Sequence, residues 1–240
     1  MFYHQSDHLP TSLHCFLPKL EHLHKQMMTS TTYRQTSQND LPSDITDRAT
    51  TNNETFSPMP RKRMEAEVLR DTLLFVADRL NYQPHGPPDS VKTRNDGLVM
   101  SVSGPKGWRR SIYIRQRRNE IPTILETFDL PRMNPNCVTR PESTVASQAL
   151  HLMNNAMIDQ LATDFAQRVL ISNASDLQSW VTQVYWIALS RPPTKEETIL
   201  GKKALQKLEA MWIQNLSGGD STNPDKARQQ ALSTYCHVIL

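Results

Sequence analysis

The sequence predicts a mainly α fold: an irregular multi-helix domain with one short β-hairpin and long proline-rich connections. Three observations carry this. Apolar residues recur at helical spacing through most of the second half of the chain. The period drops to two between residues 98 and 115. Sixteen prolines stand against seven glycines, and a hydrophobic fraction of 38% with mean hydropathy −0.56 is low for a tightly packed globule. At 240 residues the chain can still bury a core.

The first helix is expected from about Pro18 to Tyr33, with Leu20, Leu23 and Met27 on one face. Residues 35–58 are polar and poor in large apolar side chains, so they read as an exposed loop. After Pro60, Leu69, Leu73, Val76 and Leu80 define one face of a second helix. Arg63, Glu67 and Arg70 stack along another at i, i+4, i+7, the spacing of a structural ion-pair ladder. The cluster Pro84, Gly86, Pro87, Pro88 follows it. Leu98, Met100 and Val102 then alternate, Gly104-Pro105-Lys106-Gly107 supplies turn chemistry, and Ile112 and Ile114 alternate on the return, which predicts the hairpin.

Pro122 opens a short helix with Ile124, Leu125 and Phe128 facing inward. Residues 130–142 are irregular. Ser143 or Thr144 is expected to cap a long helix to about Ile171, with Gln148 and Asn154 as buried hydrogen-bonding residues that fix it to the irregular segment. A further helix spans about Asp176 to Ser190 with Trp180, Val184 and Ile187 on its apolar side, and Arg191-Pro192-Pro193 stops it. Thr194 and Glu197 form a capping box for a helix to about Leu216, and a last helix runs from about Pro224.

The net charge of +3 is unevenly placed. Fifteen basic and nine acidic side chains give +6 over residues 61–140, against −2 before and −1 after. Any anionic partner belongs to that middle third. Cys15, Cys137 and Cys236 are odd in number, far apart and without CxxC or CxxCH spacing. They read as small buried residues, not as zinc or haem attachment points. No run of about 18 apolar residues occurs, so no transmembrane segment is expected. MFYHQSDHLPT lacks the basic start and apolar stretch of a signal peptide, so the chain as written is expected to stay in the cytoplasm.

Three constellations are candidates for chemistry. Arg109, Arg110, Arg115, Arg117 and Arg118 lie beside Trp108 and Tyr113. Guanidinium groups with interleaved aromatics suit phosphates, or acidic or sulfated polysaccharide. Pairing of these arginines with Glu65, Glu67, Glu126 or Asp129 inside the fold is favoured over an anionic polymer, and nucleic acid comes last. Glu65, Glu67 and Asp71 are the carboxylates a hydrolase would use, but they share a helix with arginines, which favours ion pairing. His4, His8, His14, His22 and His24 crowd the first 24 residues, yet His22 and His24 are two apart and point to different sides, so no metal site is expected. No phosphate loop or nucleophile elbow is present.

Four segments together resemble one family. They are Leu23-His24-Lys25 through Thr29-Ser30-Thr31-Thr32-Tyr33-Arg34-Gln35, then Pro60 through Asp71. The third combines Arg109-Arg110-Ser111-Ile112-Tyr113, Leu125 through Asp129, Cys137, Arg140, Ser143-Thr144-Val145, Gln148-Ala149-Leu150 and Leu152-Met153-Asn154. The last is Tyr185 through Thr194 with Glu197. Their order is similar to that of a planctomycete-specific domain of unknown function, the C-terminal module of planctomycete cytochrome c-domain proteins. The resemblance implies a single mainly helical domain over residues 20–240 after a divergent, poorly ordered residues 1–19. It also implies an extracytoplasmic setting and an upstream domain or chain of the same architecture for full-length members, with haem c in longer members alone and no cofactor here. The apolar end at Cys236-His237-Val238-Ile239-Leu240 reads as a shortened member, truncated at the C-terminus. The family carries no established activity, so the expected role is that of a non-catalytic structural or interaction module.

Overall fold

The computed structural model describes residues 17–31, 33–34, 62–102, 104, 107–117, 120–131, 140, 142–171, 176–216 and 224–240. The chain divides into two units, Met1–Arg63 and Met64–Leu240. As the sequence predicts, the fold is mainly helical, with eight α-helices and two two-stranded sheets among the described residues.

In the first unit, α1 spans Leu17–Thr29. It stops short of the expected Tyr33. The Thr29 hydroxyl donates to the Lys25 carbonyl at 2.7 Å and the Ser30 hydroxyl to the Met27 carbonyl at 2.7 Å, side-chain bonds that compete with helix continuation. Leu20, Leu23 and Met27 are exposed on it. The expected 35–58 loop lies outside the described residues, as do Cys15, Cys137, His4, His8 and His14.

The second unit opens with α2, Ala66–Val76, whose inner face buries Ala66, Arg70, Leu73 and Leu74. The helix ends before Leu80, which enters strand β1 (Leu80–Asn81) instead of a fourth helical position. Arg168 donates to the carbonyls of Phe75 and Val76, each at 2.9 Å, satisfying acceptors that a helix C-terminus leaves open.

The hairpin forms one element earlier than expected. β2 (Val91–Thr93) pairs antiparallel with β3 (Val99–Ser101), with Val91 opposite Ser101. Asn95-Asp96-Gly97 makes the turn. The Asp96 carboxylate accepts from the Leu98 amide at 3.2 Å, and Gly97 sits at φ +85°, where glycine alone is unstrained. β4 (Trp108–Arg109) pairs in parallel with β1 and leaves the hairpin. A Cβ at Gly107 would lie 2.4 Å from the Arg79 carbonyl oxygen, so this approach needs glycine. A 3₁₀ turn at Ser111–Tyr113 and α3 (Thr123–Thr127) follow, and Ile124, Leu125 and Phe128 bury as expected.

The predicted long helix to Ile171 is two helices, α4 (Ala146–Asn154) and α5 (Ala156–Ile171), broken at Asn155. Ser143 does not cap α4: its amide and hydroxyl both donate to Asp129 at 2.8 Å. The start of α4 is closed by Gln148, whose Oε1 accepts from the Val145 amide at 3.2 Å while its Nε2 donates to the Thr127 carbonyl at 2.9 Å. Gln148 is thus the buried tie the sequence suggested. Asn154 is exposed and bonds within its own helix.

α6 (Leu177–Leu189) starts at Asp176, which accepts from the Ser179 amide at 3.3 Å, and ends at Ser190 with φ +54°. The Thr194–Glu197 capping box forms in both directions, at 2.7 and 3.2 Å, and opens α7 (Lys195–Leu216). α8 (Pro224–Ile239) packs against α5 and α7. A Cβ on Gly201 of α7 would meet Tyr235 Oη at 2.6 Å and Val181 at 2.9 Å, so helix α7 approaches α6 and α8 at a glycine. α5 joins two apolar clusters. Met157, Ile158 and Leu161 pack with Leu73, Leu74, Ile124 and Leu125, while Phe165 and Val169 pack with Val181, Val184, Leu205 and Leu232.

Candidate functional site

Helix α2 is apolar on two sides. Its inner face would be an ordinary core stripe except that Arg70 sits in the middle of it, 1% exposed. The two terminal nitrogens of the guanidinium are engaged from three elements, while Nε is buried without a partner among the described residues. Nη2 donates to Ser101 Oγ of β3 at 2.9 Å. Nη1 donates to the Arg109 carbonyl of β4 at 3.1 Å and to Ser111 Oγ at 3.2 Å, and lies 3.5 Å from Asp71 Oδ1. Burial pushes its pKa down to about 10, against the pull of Asp71 and Asp89, so it remains charged at neutral pH. Asp71 in turn accepts from the Ser111 amide and the Ser111 hydroxyl, each at 2.7 Å. Both sheets and the 3₁₀ turn are thereby pinned to one helix.

The expected Glu67–Arg70 step of the ladder does not form. Glu67 takes Arg140 instead, at 2.8 and 3.2 Å, with Glu65 also 3.2 Å from Arg140. Burial raises the Glu67 carboxyl, but the Arg140 hydrogen bonds outweigh it and leave the pKa below the usual carboxylate range. Arg63 belongs to the other unit.

The outer face of α2 borders an open groove of about 720 Å³. Val68, Phe75, Leu80, Tyr82, Ile112 and Ile114 supply its apolar lining. Ile112 is 78% exposed, and Met64, Val68, Phe75 and Tyr82 are exposed as well. The three carboxylates named from the sequence, Glu65, Glu67 and Asp71, all lie on this groove. Each is engaged by arginine, Asp71 at its other oxygen by Arg110 Nε at 3.5 Å. Ser111 also lines it, but its hydroxyl proton is held by Asp71 and no histidine adjoins the pair in the groove lining.

The arginine cluster is not gathered on one surface. Arg109 is buried, which corrects its reading as an anion ligand. It donates to the carbonyls of His85 and Pro87, each at 2.8 Å, and to Asp89 at 3.3 Å, with its guanidinium 4.2 Å from the Tyr113 ring centre. It holds the 85–88 loop, where His85 has φ +60°. Arg110 is 61% exposed at the groove, Arg115 is exposed, Arg117 pairs with Glu120 at 3.2 Å, and Arg118 lies outside the described residues. The partners are Asp71, Asp89 and Glu120, none of which was among the carboxylates expected for them.

Sequence reasoning missed Ser101, Ser111 and Asp164. The last forms a bidentate pair with Arg79 at 2.6 and 2.7 Å. One signal was available: Arg70 falls at i+4 from Ala66 and i−3 from Leu73, on the buried side of α2. Burial pushes the Cys236 thiol far above its ordinary range, so it serves as a packing group. His22 and His24 are on exposed α1. No cluster of three metal-ligating side chains occurs among the described residues, and no helix there is long and apolar enough to cross a membrane.

Fold and site define a mainly helical module in which Arg70 and Arg109 are internal ties beside an open apolar groove. The chain belongs to the family described as PSD1, protein of unknown function (DUF1553), which matches residues 7–205. No curated protein and no solved structure matches it.

Proposed function

We propose that this chain is a non-catalytic interaction module of a multidomain planctomycete protein, and that the groove along α2 is the face it offers to a neighbouring domain of that protein. The observation that carries this is the outer face of α2. Val68 and Phe75, with Ile112 and Tyr82 beside them, present apolar side chains to solvent on a firmly held helix, and such patches mark contact surfaces. Engagement of Glu65, Glu67 and Asp71 by arginines supports a binding role over a hydrolytic one. The four family-like segments support the planctomycete setting, the upstream domain, haem c confined to longer members and an extracytoplasmic place for them.

A photo-crosslinking residue at Phe75 in the native full-length protein tests it. Adducts to an apolar segment of the same protein, absent when the crosslinker replaces exposed Asp225 on α8, are expected. No adduct from position 75 beyond that control overturns the reading. Polysaccharide binding is the alternative and rests on Arg110 and Arg115. Retention on heparin that falls with salt and is lost in Arg110→Ala/Arg115→Ala would favour it.

A further inference from the structure

We infer that the corner between α4 and α5 is a proton-sensitive joint, closed while His151 is neutral and loosened when it is protonated. Asn155 is both the end of α4 and the start of α5. Its amide donates to the His151 carbonyl at 3.1 Å, and its own carbonyl accepts from Ile158 and Asp159 at 2.9 and 3.1 Å. Its side chain is divided in the same way. Oδ1 accepts from the Met157 amide at 2.8 Å, and Nδ2 lies 2.8 Å from His151 Nε2.

The first of these contacts fixes the second. A backbone N–H needs an acceptor, so Oδ1 faces Met157 and the NH₂ group faces the imidazole. Nε2 must then accept, which requires the neutral ring with its proton on Nδ1. Protonation puts a donor against a donor. Turning the Asn155 amide over does not repair this, because Nδ2 would then oppose the Met157 N–H and α5 would lose its side-chain cap. One bond is lost either way, and the joint weakens.

Among the described residues, the Asn155 side chain is the group that hydrogen-bonds the ring. The charged and titratable groups described on the α3, α5 and α8 sides of α4 are Glu126 on α3, Asp159, Asp164 and Arg168 on α5, and His237 on α8, with Asp129, Arg140 and Glu142 in the segment before α4. Asp164 pairs with Arg79, and Arg168 donates to the carbonyls of Phe75 and Val76. Asp129 is held by Ser143. His237 Nε2 is 3.0 Å from the Leu152 carbonyl, a contact that both the Nε2-protonated neutral ring and the cation can make. Burial alone moves the His151 pKa, downward. The released end is α4 with Val145 at its N-cap, and Val145, Leu150 and Met153 are exposed.

The test follows the His151 ring, the Asn155 side-chain NH₂ and the Met157 amide by NMR on the full chain, from about pH 7.5 to about pH 5. His151 is expected to titrate below 6.5, with both Asn155 and Met157 signals moving at the same midpoint. His151→Gln keeps an acceptor at every pH and should abolish the response of residues 155 and 157. Asn155→Asp offers a carboxylate to both partners and should raise the His151 midpoint above 6.5. A wild-type midpoint at or above 6.5, or Asn155 and Met157 signals that ignore the His151 titration, would overturn the inference.

Discussion

Two halves of the Met64–Leu240 unit meet on α5 and are held together by different physics. The α6–α8 half is a helix bundle held by an apolar cluster that includes Val181, Val184, Leu205 and Leu232. The α2–α3 half has its own apolar cluster, but its strands are two or three residues long and cannot hold themselves. Buried Arg70, Arg109 and Ser111, with half-buried Asp71, hold them as polar ties from different segments. Cohesion in the bundle comes from apolar packing, which depends on side-chain volume and shape. The polar half needs particular atoms at particular places, because an arginine removed from a buried network leaves its partners unsatisfied. This explains why Arg109, which the sequence offers as a binding residue, is internal.

The largest expected break in the comparison is Arg70→Met. It should cost about 3–5 kcal/mol, because buried Ser101 and Ser111 and the Arg109 carbonyl lose a common charged partner, and urea unfolding measures it. Arg70→Lys should recover only part, since an ammonium cannot reach three elements with a planar fork. In the bundle, Leu232→Ala should cost about 2–5 kcal/mol by leaving a cavity, with the loss confined to α5–α8 in hydrogen exchange.

Gly201→Ala should cost about 1–3 kcal/mol by forcing α7 away from Tyr235 and Val181. A smaller effect is expected from acid. The Arg191 hydrogen bonds and the Thr194 amide hold the Glu197 carboxyl down to about 2. The stability this supplies is full above the ordinary value of 4.5 and is lost as pH falls through 2. Glu197→Gln should therefore flatten a small part of the acid limb of the melting curve, small because the pair is exposed. Arg117→Ala should change stability by no more than about 0.5 kcal/mol.

The same contrast explains what the sequence made legible. Helical spacing, Asp176 and the Thr194–Glu197 box placed α6 and the start of α7, because each signal is local and each helix keeps its own hydrogen bonds. The polar half was less legible. Arg70 was read on an outer ladder although it lies on the face of Ala66 and Leu73, since a charged residue on an apolar face is explained by its partners and these come from residues 101–111. The hairpin was displaced because the Gly104–Gly107 signal competed with Asn95-Asp96-Gly97, whose Asp96 side chain closes its own turn. The break at Asn155 was hidden by apolar periodicity that continues across it, and its cause is a side chain that caps α5. The groove was not legible, because its lining joins α2 to residues 80–82 and 110–116.

Amide hydrogen exchange of Arg70→Met against the wild-type chain, under native conditions, tests most directly the claim that Arg70 is the tie for one half of the unit. Residues 80–114 should lose protection while α6–α8 keep theirs. Equal loss across the unit, or unchanged protection over 80–114, would contradict it.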